Sequence, residues 1–251
     1  MWRRAWRRLA VCLGAGLLGC ALLVAGCATA PAAPPALRLE ATDLAEPMLL
    51  DLTQVYTGGQ TLTSGLPPPA LGGDLAAGRA DLGLAVAYAP GQFATPLGYV
   101  TFVVVVNPAN AVSHLTVDQV RDIFAGRATD WAQVGAGKEA IQVVSREAGS
   151  DAAEAFSRAA LGGAAATLNA LTVPDWGAMR QAVSENPAAI GYLPAPEGLD
   201  SVKAVGVDAS LRALVVAVAT GQPAGAARDF LVWAQSDAGQ AVIARRYQPV
   251  R

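Results

Sequence analysis

The segment Ile141-Gln142-Val143-Val144-Ser145-Arg146-Glu147-Ala148-Gly149-Ser150-Asp151-Ala152 changes character twice. Its apolar start, 141–144, reads as a strand. A polar turn containing Gly149 follows, and an alanine-rich helix is expected over about 152–161. A strand that runs through a glycine turn into a helix is the repeating unit of an α/β fold. The rest of the chain can be read outward from it.

Upstream, 99–106 is a β-branched run with the pattern of a strand buried on both faces. Asn107-Pro108 ends it, and a helix over 117–124 starts behind Thr116 as its cap. Downstream come a helix over 176–183, a strand over 189–193, and two terminal helices near 224–235 and 238–245. Toward the beginning, 37–41 and 81–87 read as strands. Between them a helix over 44–56 is opened by Thr42 or Asp43, with Glu46 placed as in a capping box. Strands alternating with helices imply an α/β fold with parallel sheet. Gly72-Gly73, Gly162-Gly163 and Pro67-Pro68-Pro69 read as loops.

The chain has 251 residues, 53% hydrophobic and 15% charged, with a single histidine, His114. That is enough apolar residue for a real core, and it excludes a disordered chain. One histidine leaves no multi-histidine metal site, and no cofactor is expected. The first eight residues carry Arg3, Arg4, Arg7 and Arg8 and no acid, and the run over 9–26 is apolar and small. This is the pattern of a signal peptide. Leu23-Val24-Ala25-Gly26-Cys27 is similar to a bacterial lipobox, with Cys27 the expected point of lipidation. An uncleaved anchor is the alternative, since 18 uncharged residues can just span a bilayer. Cleavage before Cys27 would leave 225 residues, with 14 basic against 20 acidic and a net charge of −6. Nothing in that balance favours nucleic acid. Cys12 and Cys20 would leave with the leader, so no disulfide is expected. Residues 27–36 then form a short Ala/Pro tether.

Three stretches carry a resemblance. Val106-Asn107-Pro108-Ala109-Asn110 is followed by Leu115-Thr116-Val117-Asp118-Gln119-Val120-Arg121-Asp122-Ile123-Phe124-Ala125-Gly126, then Asp130-Trp131 and the 141–150 segment. Ala182-Val183-Ser184-Glu185-Asn186-Pro187-Ala188-Ala189-Ile190-Gly191-Tyr192 and Asp237-Ala238-Gly239-Gln240 complete the set. Together they resemble the phosphate-type substrate-binding proteins of bacterial ABC importers. The resemblance covers about 37–251, densely after residue 98. It implies a two-lobed, type II periplasmic-binding-protein-like fold, each lobe a mostly parallel sheet flanked by helices. Two hinge strands are implied near 102–107 and 201–205. Lobe I would comprise 37–104 and 204–251, and lobe II 105–203.

A tight oxyanion site needs converging neutral donors, a guanidinium and helix N-termini with free amides. The resemblance places Thr42, Ser64, Arg146, Gly149, Ser150 and Asp151 in such a site. Arg146 can fork two donors onto one oxyanion face. Its other reading is a surface ion pair with Glu147 or Glu154. Thr42 and Ser64 can equally serve as helix caps, which use the same geometry.

The departures are specific. Where the family has Gly-Thr after Gly-Ser, this chain has Asp151-Ala152. Where its phosphate binders have Ser-Asp after the Ala-Asp-Leu-Gly strand, this chain has Ala85-Val86. Asp151 brings negative charge to an anion loop, and two unit charges about 4 Å apart repel by roughly 4 kcal/mol at an effective dielectric near 20. Asp151 with Glu154 fits a capping box. It also fits a relocated acceptor for the proton of hydrogen phosphate. Trp131 and Trp233 read as packing residues, Trp176 as packing or cleft lining, and His114 as a solvated loop residue.

The expected function is a non-enzymatic, membrane-anchored lipoprotein of the cell surface or periplasm. It would bind an inorganic oxyanion, phosphate first, and pass it as a monomer to an ABC permease. The alternatives are a degenerate scaffold acting as a surface sensor or interaction protein, and a binder of sulfate, molybdate or tungstate.

Overall fold

Residues 36–86, 88–195 and 198–250 are described by a computed structural model of the chain. The leader, the lipobox with Cys27 and the tether through Pro35 lie outside the described residues. The elements run β1 (Leu37–Thr42), α1 (Glu46–Val55), β2 (Gln60–Leu66), α2 (Pro68–Ala76), β3 (Leu82–Ala85) and β4 (Phe93–Val106). Next come β5 (His114–Leu115), α3 (Val117–Phe124), a 3-10 turn (Trp131–Val134), β6 (Gln142–Arg146), α4 (Asp151–Ala160), β7 (Leu171–Val173), α5 (Trp176–Glu185) and β8 (Ala189–Ala195). β9 (Lys203–Val207), β10 (Arg212–Ala219), α6 (Gly225–Ala234), α7 (Asp237–Ile243) and β11 (Gln248–Pro249) finish the chain. Among the described residues no helix is long and apolar enough to cross a membrane.

The strand order is β2-β1-β3-β10-β4-β8-β6-β7. Its two arms are parallel: β1 pairs with β2 and β3, and β6 pairs with β7 and β8. Between them β10 and β4 run antiparallel to their neighbours. β4 carries both arms. Residues 93–101 pair with β10, while 101–106 pair with β8. The strands therefore fall into a first lobe around β1, β2, β3 and β10 and a second around β6, β7 and β8. β4 can serve both because Val104, Val105 and Val106 are fully buried, as its β-branched run requires.

Local chemistry explains most boundaries. Thr116 caps α3 in a reciprocal box with Gln119. The expected box at Asp43 and Glu46 is absent. α1 has Ala45 at its N-cap with no side-chain bond, and Pro47 sits in its first turn. Pro67–Pro69 and Gly72-Gly73 do not form a loop; they open and build α2. Prolines are tolerated there because first-turn amides have no intrahelical acceptor. Asp151 does not cap α4 either. Ser150 is its N-cap, with Oγ accepting from the Ala153 amide at 3.2 Å. His114 lies in β5 and is exposed rather than sitting in a loop.

The core of the second lobe is aromatic. Phe156 on α4 stacks on Tyr192 of β8 with ring centroids 3.7 Å apart, and Phe102 and Phe124 meet the pair edge-on. Trp131 is buried, its indole N–H donating to Ala188 O at 3.1 Å. Trp233 packs with Tyr56 and Phe230.

At the C-terminal end, α7 meets the end of α6 with almost no space. A Cβ on Gly239 would lie 2.5 Å from the Cα and carbonyl oxygen of Ala234. The neighbouring Gln240 then fastens three segments. Its amide nitrogen donates to Leu97 O and Ala234 O, and its oxygen accepts from the Val250 amide. Gly239→Ala is expected to destabilise the protein by about 1–3 kcal/mol through overpacking against backbone that cannot yield. Thermal unfolding of the variant checks this.

Candidate functional site

Three segments from the two lobes enclose a cavity of about 430 Å³. From the first lobe come the turn after β1, containing Asp43, and the rim Gly65–Pro69 between β2 and α2. From the second comes the loop Arg146–Asp151 between β6 and α4, with Pro174 beside it. The loop reverses at Gly149, whose φ of 82° lies where a side chain would be strained. The turn delivers the N-terminus of α4 to the cavity wall. The amides of Asp151 and Ala152 have no i−4 acceptor within that helix.

Arg146 ends β6 and is 7% exposed. Its guanidinium lies 4.5 Å from the centre of the Trp176 ring, which holds it as a cation–π partner. Nη2 donates to Asp43 Oδ2 at 2.7 Å. Nε and Nη1 are buried and have no hydrogen-bond partner among the described residues. A buried guanidinium with two unpaired donors is costly, and this one belongs to a residue that lines the cavity. The alternative reading, an ion pair with Glu147 or Glu154, is not what forms; Arg146 pairs with Asp43. The Arg146 amide in turn donates to Tyr192 Oη at 3.2 Å. Burial of that phenol pushes its pKa up, against the opposing pull of Ser145 and Arg146.

Asp151 is 2% exposed and faces across to the first lobe. Thr42 Oγ1 donates to Asp151 Oδ2, and the Leu44 amide donates to Oδ1 at 3.3 Å. Thr42 Oγ1 also lies 3.3 Å from Leu84 O. Burial pushes the Asp151 carboxyl up to about 6, aided by the neighbouring Asp43; the bonds from Thr42 and Leu44 and the charge of Arg146 pull the other way. A neutral Asp151 would donate to Thr42 Oγ1 and free the threonine proton for Leu84 O.

The structure thus brings Thr42, Arg146, Gly149, Ser150 and Asp151 together at or beside the cavity. Ser64 is not among the cavity-lining residues: its hydroxyl donates to Glu46 Oε1 at 2.6 Å, and the neighbouring Gly65 faces the cavity. The Ser150 hydroxyl donates to Glu147 O at 2.7 Å and caps α4. Ala85 and Val86 are buried, apolar and outside the cavity lining. Sequence reasoning missed Asp43 as the partner of Arg146, and the Pro67–Pro69 rim. The turn position of Asp43, directly after Thr42, was the available signal. Trp176 does support the site, through the guanidinium it stacks on.

Residues 74–226 match the PBP superfamily domain, and the chain belongs to that superfamily. The phosphate-binding protein PstS of Bacillus subtilis (strain 168) is 30% identical over 88 residues, covering 35% of this chain and 29% of the relative. Among solved structures, an ABC-type phosphate transport receptor from Vibrio cholerae aligns with a TM-score of 0.73 at 22% identity, covering 85% of this chain and all of the other. A mutant form of the OxyR2 regulatory domain from Vibrio vulnificus aligns with a TM-score of 0.60 at 15% identity over 84% of this chain and 95% of that one. At these identities the alignments define the two-lobed α/β fold, which a transport receptor and a regulatory domain share.

Proposed function

We propose that the chain is an extracytoplasmic receptor that captures an inorganic oxyanion, with phosphate first, between its lobes and presents it to an ABC permease. The observation that carries this reading is Arg146, buried at the cavity with Nε and Nη1 unpaired. It stands beside the glycine turn and amide-bearing start of α4. The phosphate roles of the PstS relative and the Vibrio cholerae receptor support the choice of phosphate. Binding needs no covalent chemistry: a ligand touching both lobes favours the closed arrangement by its differential affinity.

The hinge in this reading is the β4–β9 ladder, where Val105 pairs with Ala204. Division at 104/105 and 203/204 cuts both strands at that one rung. This gives 37–104 with 204–251 as lobe I and 105–203 as lobe II. Residues 1–26 are proposed as the leader, Cys27 as the lipid attachment point on the membrane, and the protein as a monomer.

A thermal-shift panel with phosphate, sulfate, molybdate and tungstate tests the ligand class. Phosphate at 100 times its Kd should stabilise the protein by about 2.7 kcal/mol. No shift with any of the four, together with silent calorimetry, would overturn the receptor reading in favour of a scaffold-only role. A shift with sulfate alone would move the ligand to an unprotonated anion.

A further inference from the structure

The contact between Asp151 and the first lobe is not a cap on α4; it reproduces an anion's demands. Two carboxylate oxygens accept from two donors, Thr42 Oγ1 and the Leu44 amide, across a separation of more than 100 residues. These are donors of the kind that the first lobe would offer an oxyanion. We propose that Asp151 is a tethered carboxylate that fills the first lobe's half of the anion site and latches the lobes together, so that an oxyanion reaches Thr42 and Leu44 only by displacing it. This rests on the receptor reading for the identity of the displacing ligand, but not for the latch.

Three features support the latch. First, α4 is fastened to the first lobe at a second point, two turns along the same face, where Arg158 Nη1 donates to Val86 O at 2.9 Å. Between the two contacts, fully buried Ala155 lets the helix approach. Second, Arg146 spends its bonded nitrogen on Asp43 and not on Asp151. The Asp151 carboxylate is therefore buried without a bonded cation, a desolvation cost that an asparagine would lower only by giving up one of the two acceptor oxygens. Third, the latch is coupled to protons. The charged groups facing Asp151 are Asp43 from the turn after β1 and Arg146 from β6, with Glu154 one turn along α4. Burial and Asp43 raise the carboxyl above its ordinary value of 3.8, to about 6. A released, solvated carboxyl would return toward the ordinary value, so latching takes up a proton. The latch tightens as pH falls through about 6 and loosens above it.

Hydrogen exchange at the Leu44 amide reads the latch directly in the full chain, held in detergent. Asp151→Ala should speed that exchange by about tenfold or more, the loss of one hydrogen bond to a charged group. In the unmutated protein, protection corrected for intrinsic rate should be greater at pH 5 than at pH 7.5. In calorimetry with inorganic phosphate at pH 7.5, Asp151→Ala should bind more tightly than the unmutated chain. Unchanged Leu44 exchange in Asp151→Ala overturns the latch, even if phosphate binds both proteins. Faster exchange with no phosphate binding by either protein upholds the latch and removes the oxyanion reading. If Asp151→Ala does not fold, Asp151→Asn keeps the shape and removes the charge. Its Leu44 protection should then lose the difference between pH 5 and 7.5, and a retained difference overturns the latch.

Discussion

Replacing Arg146 by alanine is expected to weaken binding of inorganic phosphate by about 30- to 5,000-fold, the range for truncating one partner of a buried, charge-assisted contact. The guanidinium is 7% exposed and is the cation that faces the cavity, with two nitrogens unpaired. Removing it leaves Asp43 and Asp151 near the site with no opposing charge in bonding reach. Arg146→Lys keeps the charge but loses the planar fork and its fit over Trp176, so it should recover only part of the loss. The fold should tolerate either change. Asp43, the partner left behind, is 39% exposed at its side chain and can be solvated. Calorimetry, with thermal unfolding as the control, separates lost binding from lost structure. Unchanged phosphate affinity in Arg146→Ala would remove Arg146 from the site.

The second large effect is on stability. Phe156→Ala is expected to cost about 3–5 kcal/mol, with a fall in Tm of roughly 6–20 °C for a domain of this size. Phe156 is 2% exposed and lies against Tyr192, Phe124 and Phe102 at centroid distances of 3.7, 4.9 and 5.6 Å. Deleting its ring opens a cavity bordered by other rings that cannot easily collapse inward. Phe156→Leu should lose less, because it keeps most of the apolar volume. The consequence reaches the site, since Phe156 holds α4, whose first turn carries Ser150 and Asp151. Phosphate affinity should fall with stability in Phe156→Ala even though the ring touches no part of the cavity. A change in Tm below about 3 °C would contradict the packing argument.

The pattern of residues made some parts of this molecule legible and hid others for physical reasons. α3 and its Thr116 cap could be read because a threonine, a glutamine three residues on and an amphipathic run all report the same local structure. β4 was visible over 99–106 as a β-branched run, although burial is continuous only over 104–106 and alternates before it. α2 was misread because prolines and glycines usually punctuate, yet at a helix's first turn the prolines remove only amides that had no acceptor. β2 went unread because it is an edge strand whose polar, exposed residues lack a buried face. At the site, the family resemblance placed Thr42, Arg146 and Asp151 in one region. Their actual bonds were not legible. Thr42 with Asp151, and Asp43 with Arg146, join residues more than 100 positions apart, and nothing local to either partner reports the other.

Pro67, Pro68 and Pro69 form one edge of the cavity and carry no amide hydrogen among them. That edge therefore offers an arriving anion ring methylenes and carbonyl oxygens, and no attraction. Its fixed φ angles also leave it little freedom to reshape around a guest. It acts as a stiff sill, so in the receptor reading the grip on an anion would come from Arg146, the start of α4 and the Thr42 and Leu44 donors, and not from this edge.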